Sequence, residues 1–217
     1  DIGELDNSIT HFEWAVAYKD DFAEAHNNLG SALQQKGQLQ NALNSYKKSI
    51  TLKPDFSQAH NNLGILLQKL GDIEAAFLSY EKAITFEPSY VLAHFNLSAI
   101  KKYTVNDPQI TLMQSILSLG TTSHSNRVHL CFALAKVNED LGNQDELFKF
   151  LDEGNRLRKE ELNFSLDEPE NQNIIIKNLF NASPSILSKV SYEPSIIKPV
   201  FIVGMPRSGT SLVEQII

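Results

Sequence analysis

Cysteine is nearly absent from this sequence: Cys131 is the only one in 217 residues. A single thiol excludes an intrachain disulfide and fits a reducing, cytoplasmic setting. Basic residues are also short, with 19 Lys and Arg against 26 Asp and Glu, a formal net charge of −7. The sequence pI is near 5.4. A negative field of this kind argues against nucleic acid and against an anionic membrane as main partners. No apolar run approaches the roughly 20 residues that a membrane-spanning helix needs. The first residue is Asp1 rather than Met, so these residues do not decide whether a signal peptide exists. Three Asn-X-Ser triplets, at Asn96, Asn163 and Asn181, are short enough to recur by chance. What remains is an ordinary composition, 42% apolar and 21% charged, on a chain long enough for one or two domains with a sizeable core.

The chain repeats itself. Residues 23–56 read AEAHNNLGSALQQKGQLQNALNSYKKSITLKPDF, and residues 57–90 read SQAHNNLGILLQKLGDIEAAFLSYEKAITFEPSY; sixteen of the 34 positions are identical without a gap. A third copy opens at Val91 (VLAHFNLSAIKKYT), and a partial one precedes them. Gly3, Gly37 and Gly71 are 34 apart, as are Phe22, Phe56 and Tyr90. Gly30 and Gly64 fall where two helices are expected to cross closely. Gly37 and Gly71 are expected to end the first helix of each unit in the left-handed conformation. Pro54 and Pro88 forbid continuation of the second helix. A hairpin of this size buries only part of its apolar face, so neighbours must stack.

The period and its landmarks, with Ala42 and Ala76, Tyr46 and Tyr80, Pro54 and Pro88, resemble the tetratricopeptide repeat. The resemblance implies an all-α, right-handed superhelix over residues 1–161. It comprises a partial first repeat, repeats at 23–56 and 57–90, a degenerate one at 91–124, and a last hairpin at 128–161. Within the degenerate stretch Asp107-Pro108 predicts a helix through Leu119, and 120–126 reads as a loop. The last hairpin is predicted as Val128–Leu141, Gly142 as the stop, then Glu146 to about Lys159, with Ala135 on the site of Gly30. Residues 162–198 read as a linker with a short helix, Asn173–Phe180.

Two sets of polar residues recur at repeat positions. His26, His60 and His94 raise the question of a metal. Zinc needs donor nitrogens about 2.1 Å from one ion, whereas equivalent positions on stacked helices lie roughly 8–10 Å apart. No metal is therefore expected, and the three rings are read as packing residues. Asn28, Asn62 and Asn96 share another position, beside Asn27 and Asn61. An amide side chain both donates and accepts, so it can pair with any peptide backbone regardless of sequence. The row resembles the asparagine ladder in the superhelix of O-linked N-acetylglucosamine transferase. That resemblance implies a concave groove holding an extended polypeptide, with these five asparagines as contacts; the competing reading is an amide that bonds a neighbouring helix or water.

The last residues, VFIVGMPRSGTSLVEQII at 200–217, read as a strand (199–203), an anion-cradling loop and a helix N-terminus from Thr210. Gly204 and Gly209 fit the spacing of a nucleotide phosphate loop, but Thr210 stands where that motif has its lysine. The one cation in the loop is Arg207, whose guanidinium can grip a phosphate at two points. Backbone N–H groups of 207–211 and the helix dipole would complete an anion site.

The PRSGTS segment, with the strand before it and LVEQI after it, resembles the 5′-phosphosulfate loop of sulfotransferases that use 3′-phosphoadenylyl sulfate (PAPS). Among these it looks closest to protein-tyrosine sulfotransferases. Residues 130–162 also resemble the last hairpin of bacterial proteins that join tetratricopeptide repeats to a sulfotransferase domain. The resemblance implies that 199–217 is the N-terminal piece of an α/β, P-loop-like domain. It further implies that Arg207, Ser208, Gly209, Thr210 and Ser211 bind PAPS without a metal. Arg207 would also stabilise charge on the leaving oxygen in the transfer of a sulfuryl group to a hydroxyl, with protein tyrosine among the possible acceptors. The family's remaining catalytic residues would follow Ile217. The chain is therefore expected to be a fragment of an enzyme and inactive alone. A tetratricopeptide interaction scaffold without catalysis, and a kinase-like phosphate-loop enzyme, stand as alternatives.

Overall fold

The computed structural model describes residues 2–162 and Ile174. The chain divides into two units, Asp1–Phe164 and Ser165–Ile217. The described residues hold nine helices and no strand: α1 (Ile2–Tyr18), α2 (Ala23–Gln35), α3 (Leu39–Leu52), α4 (Ser57–Lys69), α5 (Ile73–Phe86), α6 (Val91–Ser98), α7 (Pro108–Ser118), α8 (His124–Leu141) and α9 (Gln144–Glu161). The helix expected over 173–180, the strand at 199–203, and the loop with Arg207, Ser208, Gly209, Thr210 and Ser211 lie outside the described residues.

Each full repeat folds for the same local reasons. In α2 the small and aliphatic residues Ala25, Leu29, Ala32 and Leu33 recur at helical spacing and are buried. The helix stops at Gly37, φ +82°, where Gln38 N–H donates to Leu33 O at 2.9 Å. Gly71, φ +86°, repeats this, with Asp72 N–H donating to Leu67 O at 3.0 Å. Such a six-to-one bond closes a helix end and needs a residue tolerant of positive φ. The chain then turns back, and α3 packs on α2 as α5 packs on α4.

The crossing is set by a glycine and a tyrosine. A Cβ on Gly30 would lie 2.7 Å from the Tyr46 ring, and one on Gly64 only 2.5 Å from the Tyr80 ring. Both rings are buried, and each phenol donates to a glutamine on the first helix, Tyr46 to Gln34 at 3.1 Å and Tyr80 to Gln68 at 2.9 Å. Successive hairpins stack through α3 on α4 and α5 on α6, and the first helices also touch along α2, α4 and α6. This is the all-helical, tetratricopeptide-like superhelix that the period predicts.

The third unit departs from the rule. Its landmarks have gone: Ser98 replaces Gly64, Val105 replaces Gly71, Ile110 replaces Ala76 and Gln114 replaces Tyr80. Without a ring to seat on a glycine, α6 ends after eight residues, and its main partner is α8 rather than α7. The shared core here joins Val91, Tyr103, Met113, Leu130, Leu134 and Val137. The segment between α6 and α7 is tied to α8, because Tyr103 N–H donates to Asp140 Oδ2 at 3.0 Å. Helix α7 starts as expected, with Asp107 capping Gln109 N–H at 3.0 Å.

Helix α8 begins four residues earlier than Val128. Ser123 Oγ accepts from Asn126 N–H, and His124 Nε2 donates to Leu157 O at 2.8 Å, so the polar run HSNR is fixed against α9. Gly142, φ +74°, ends α8 as predicted. Ala135 is buried at the site of Gly30. The close approach in this hairpin comes from the other helix, where a Cβ on Gly154 would meet Cys131 Cβ at 3.2 Å. Burial pushes the Cys131 thiol up, away from reactivity.

Candidate functional site

The recurring asparagines form a chain of amides across the first helices. Asn62 Nδ2 on α4 donates to Asn27 Oδ1 on α2 at 3.0 Å. Asn96 Nδ2 on α6 donates to Asn61 Oδ1 on α4 at 2.9 Å. Asn27 and Asn61 are 1% and 2% exposed. They therefore do not serve as groove contacts, which is where the structure departs from the expectation: each lies inside the stack and accepts from the next repeat. A buried amide oxygen needs a donor, and among the described residues it is supplied by the outer asparagine one helix on.

The outer residues keep capacity to spare. Asn28 is exposed, and Asn62 and Asn96 are half-buried. An amide offers two N–H donors and a carbonyl. In Asn62 and Asn96 one N–H is engaged, leaving a donor and the acceptor on each without a side-chain partner among the described residues. Asn28 Oδ1 receives only a long bond from Asn27 Nδ2, 3.4 Å. Beside Asn28 lies a pocket of about 240 Å³ between α1 and α2, with Leu5 and Phe12 as apolar wall and Ser8, Ser31 and Gln35 as polar rim. The sequence shows no sign of this pocket, because α1 lies outside the two full repeats.

The histidines behave as structural residues. All three are buried. In each, Nε2 donates to the carbonyl six residues earlier: His26 to Asp20 O at 3.1 Å, His60 to Pro54 O at 2.8 Å and His94 to Pro88 O at 2.9 Å. Each ring thus pins the turn that precedes its own helix. Burial lowers the pKa of His60 and His94 below the usual imidazole value.

Comparison with known proteins agrees with this geometry. Residues 30–71 match the TPR repeat family and residues 57–90 the Tetratricopeptide repeat family. Residues 30–90 are tetratricopeptide repeats. An uncharacterized protein of Aquifex aeolicus (strain VF5) is 32% identical over 119 residues, which is 54% of this chain and 15% of that protein. The chain thus spans a small part of that relative's length. The crystal structure of MamA superposes with a TM-score of 0.54 at 19% identity, covering 75% of this chain and 93% of MamA. YrrB, described as a TPR protein with an unusual peptide-binding site, superposes with a TM-score of 0.51 at 14% identity, covering 74% of this chain and 81% of YrrB. At these identities the likeness is one of fold. No helix among the described residues is long and apolar enough to cross a membrane.

Proposed function

We propose that the helical array is a scaffold that binds an extended polypeptide across the face formed by α2, α4 and α6. The observation that carries this reading is the unspent donor and acceptor capacity of Asn28, Asn62 and Asn96, arrayed one repeat apart. A peptide backbone offers the complementary groups at every residue, whatever its sequence. The pocket beside Asn28 adds an apolar wall for one peptide side chain. The peptide-binding site named for YrrB, a protein of the same fold, supports the reading.

The test is selection of peptides from a display library on the 217-residue chain, followed by affinity measurement on variants. Gln35→Ala removes a group at the rim, and Asn28→Ala removes one whose single bond to a buried partner, Asn27 Nδ2, is a long 3.4 Å. Each is expected to weaken a selected peptide by about tenfold, roughly 1.4 kcal/mol. Unchanged affinity in both variants, or a selection that enriches nothing, removes the proposal.

A second reading rests on the sequence of 204–211. There the donor set of Arg207, Ser208, Gly209, Thr210 and Ser211 suits the phosphosulfate of PAPS: a guanidinium, three hydroxyls and a glycine that lets backbone N–H groups approach. PAPS would supply the sulfuryl group; Arg207 would hold and neutralise the oxygens around it. Under this reading the gene product transfers sulfate to a hydroxyl, and the peptide face presents the acceptor. Sulfate transfer from PAPS, abolished by Arg207→Ala, is the expected result. Binding of ATP with magnesium in place of PAPS would overturn it.

A further inference from the structure

Between α3 and α5, with α4 as its floor, lies a pocket of about 320 Å³. Lys47 and Ile50 of α3, His60 and Leu63 of α4, and Leu78 and Lys82 of α5 form its wall. We propose that this pocket binds a tetrahedral oxyanion of the phosphate or sulfate type, held by the ammonium groups of Lys47 and Lys82 and by Nδ1–H of protonated His60. It involves none of the asparagines of the peptide face.

The same pocket one repeat later shows what is missing here. At positions 34 residues on, Glu81, Ile84, Leu97 and Leu112 line a pocket of about 340 Å³. There His94 Nδ1 accepts from Gln109 Nε2 at 3.2 Å. Gln109 Oε1 in turn accepts from Lys101 Nζ at 3.2 Å, and Lys101 pairs with Asp107 at 2.7 Å. That site is internally satisfied and carries both signs of charge. In the earlier pocket Ala75 stands at the position of Gln109, Lys47 at that of Glu81, and Lys82 at that of Ile116. Ala75 has no donor to offer. His60 Nε2 is committed to Pro54 O, and its Nδ1 has no partner among the described residues, although the residue is only 3% exposed.

The chemistry follows from these positions. Neither Lys47 nor Lys82 pairs with a carboxylate among the described residues, while the neighbouring Lys48 and Lys53 pair with Asp20 and Glu24. Two exposed lysines of like charge therefore border one cavity that His60 also lines. The Phe86 ring stacks on His60 with centroids 5.4 Å apart and covers one face of it. The hydroxyls of Thr51 and Ser79 bond their own helices, to Lys47 O and Ala75 O at 2.8 Å each, which leaves cations and imidazole as the recognising groups. Lys47 from α3 and Lys82 from α5 are the other titratable groups in the wall; α2 and α6 contribute none. Burial and the Lys82 charge hold the imidazole below its usual pKa. An anion between them reverses that field, so binding and protonation of His60 favour each other.

The experiment follows the His60 imidazole of the 217-residue chain by NMR through a pH titration, in sodium sulfate and in sodium chloride of equal ionic strength. Sulfate is the probe because it stays a dianion over the whole range. The expected result is a rise in the His60 midpoint, by about 0.3 pH unit when sulfate equals its dissociation constant. His94, whose Nδ1 is occupied, should not respond. The sulfate effect should vanish in Lys47→Ala/Lys82→Ala, whose exposed side chains can be removed with the helical circular dichroism unchanged. It should also vanish in Ala75→Gln, which restores the internal donor. An equal response at His94, no response at His60, or a response that survives in Lys47→Ala/Lys82→Ala would each overturn the proposal.

Discussion

At the scale of single residues, the array is fixed by a few atoms that have no room to move. Gly64 is one: the ring beneath it is wholly buried and held by Gln68, so an added methyl group cannot be relieved by a rotamer change. Gly64→Ala is expected to destabilise the fold by about 2–3 kcal/mol in urea unfolding, the upper end for overpacking. Gly71→Ala meets only open space and a strained φ, and should lose about 1 kcal/mol. A Gly64→Ala protein no weaker than Gly71→Ala would show that the ring is not locked. The asparagines make a second contrast. Asn62→Ala leaves the buried Asn27 oxygen without its donor and should lose about 1–3 kcal/mol. Asn28→Ala, at an exposed site, should stay within about 0.5 kcal/mol of the parent. Equal thermal midpoints for these two variants would contradict the amide chain described above.

Helices bring in contacts that no single residue predicts. Asp140 on α8 anchors the irregular segment after α6, and its side chain is 1% exposed. Burial works to raise its pKa, but hydrogen bonds from Lys136, from Tyr103 N–H and from Lys102 outweigh it and leave the carboxyl at about 2. A folded value below the unfolded one stabilises the protein above the unfolded pKa, near 4, and that contribution is lost as pH falls toward 2. The parent should therefore lose about 2 kcal/mol more than Asp140→Asn between pH 5 and 2, read from denaturant midpoints. Parallel pH curves for the two proteins would refute this. The regular hairpins were legible in the sequence, because Gly30, Gly37, Tyr46 and Pro54 each return 34 residues later and each has one steric meaning. The third unit was legible only as a loss of pattern. That α6 would turn to α8 depends on Asp140 meeting Tyr103 N–H, 37 residues away and outside any period. The start of α8 was hidden because HSNRV is polar, and its order comes from a cap and from α9. The asparagine row was visible as a repeat, but its inner members looked like groove residues. The Asn27–Asn62 bond spans 35 positions rather than 34, so comparing equivalent positions cannot reveal it.

At the largest scale, the helical array of residues 2–162 is a succession of units that touch mainly their neighbours in sequence. In such arrays stability is close to a sum of units and of the interfaces between them. Among the described helices α1 contacts α2 alone, whereas α4 lies among α2, α3, α5 and α6. Amide hydrogen exchange should therefore be fastest in α1 and slowest in α4 and α5, with residues 1–164 expressed alone giving the same order. Uniform protection along the array, or failure of that segment to fold, would contradict a neighbour-by-neighbour fold. The amide chain between repeats also has a direction. The repeat 57–90 reaches back with Asn62 and offers Asn61 to the unit that follows. A segment that carries both ends of the same joint can be copied without redesign. If residues 57–90 were duplicated in place, the second copy's outer asparagine would find the first copy's inner one, as Asn96 now finds Asn61. The binding surface can thus lengthen by gene duplication, one unit at a time, and every intermediate length is a closed structure.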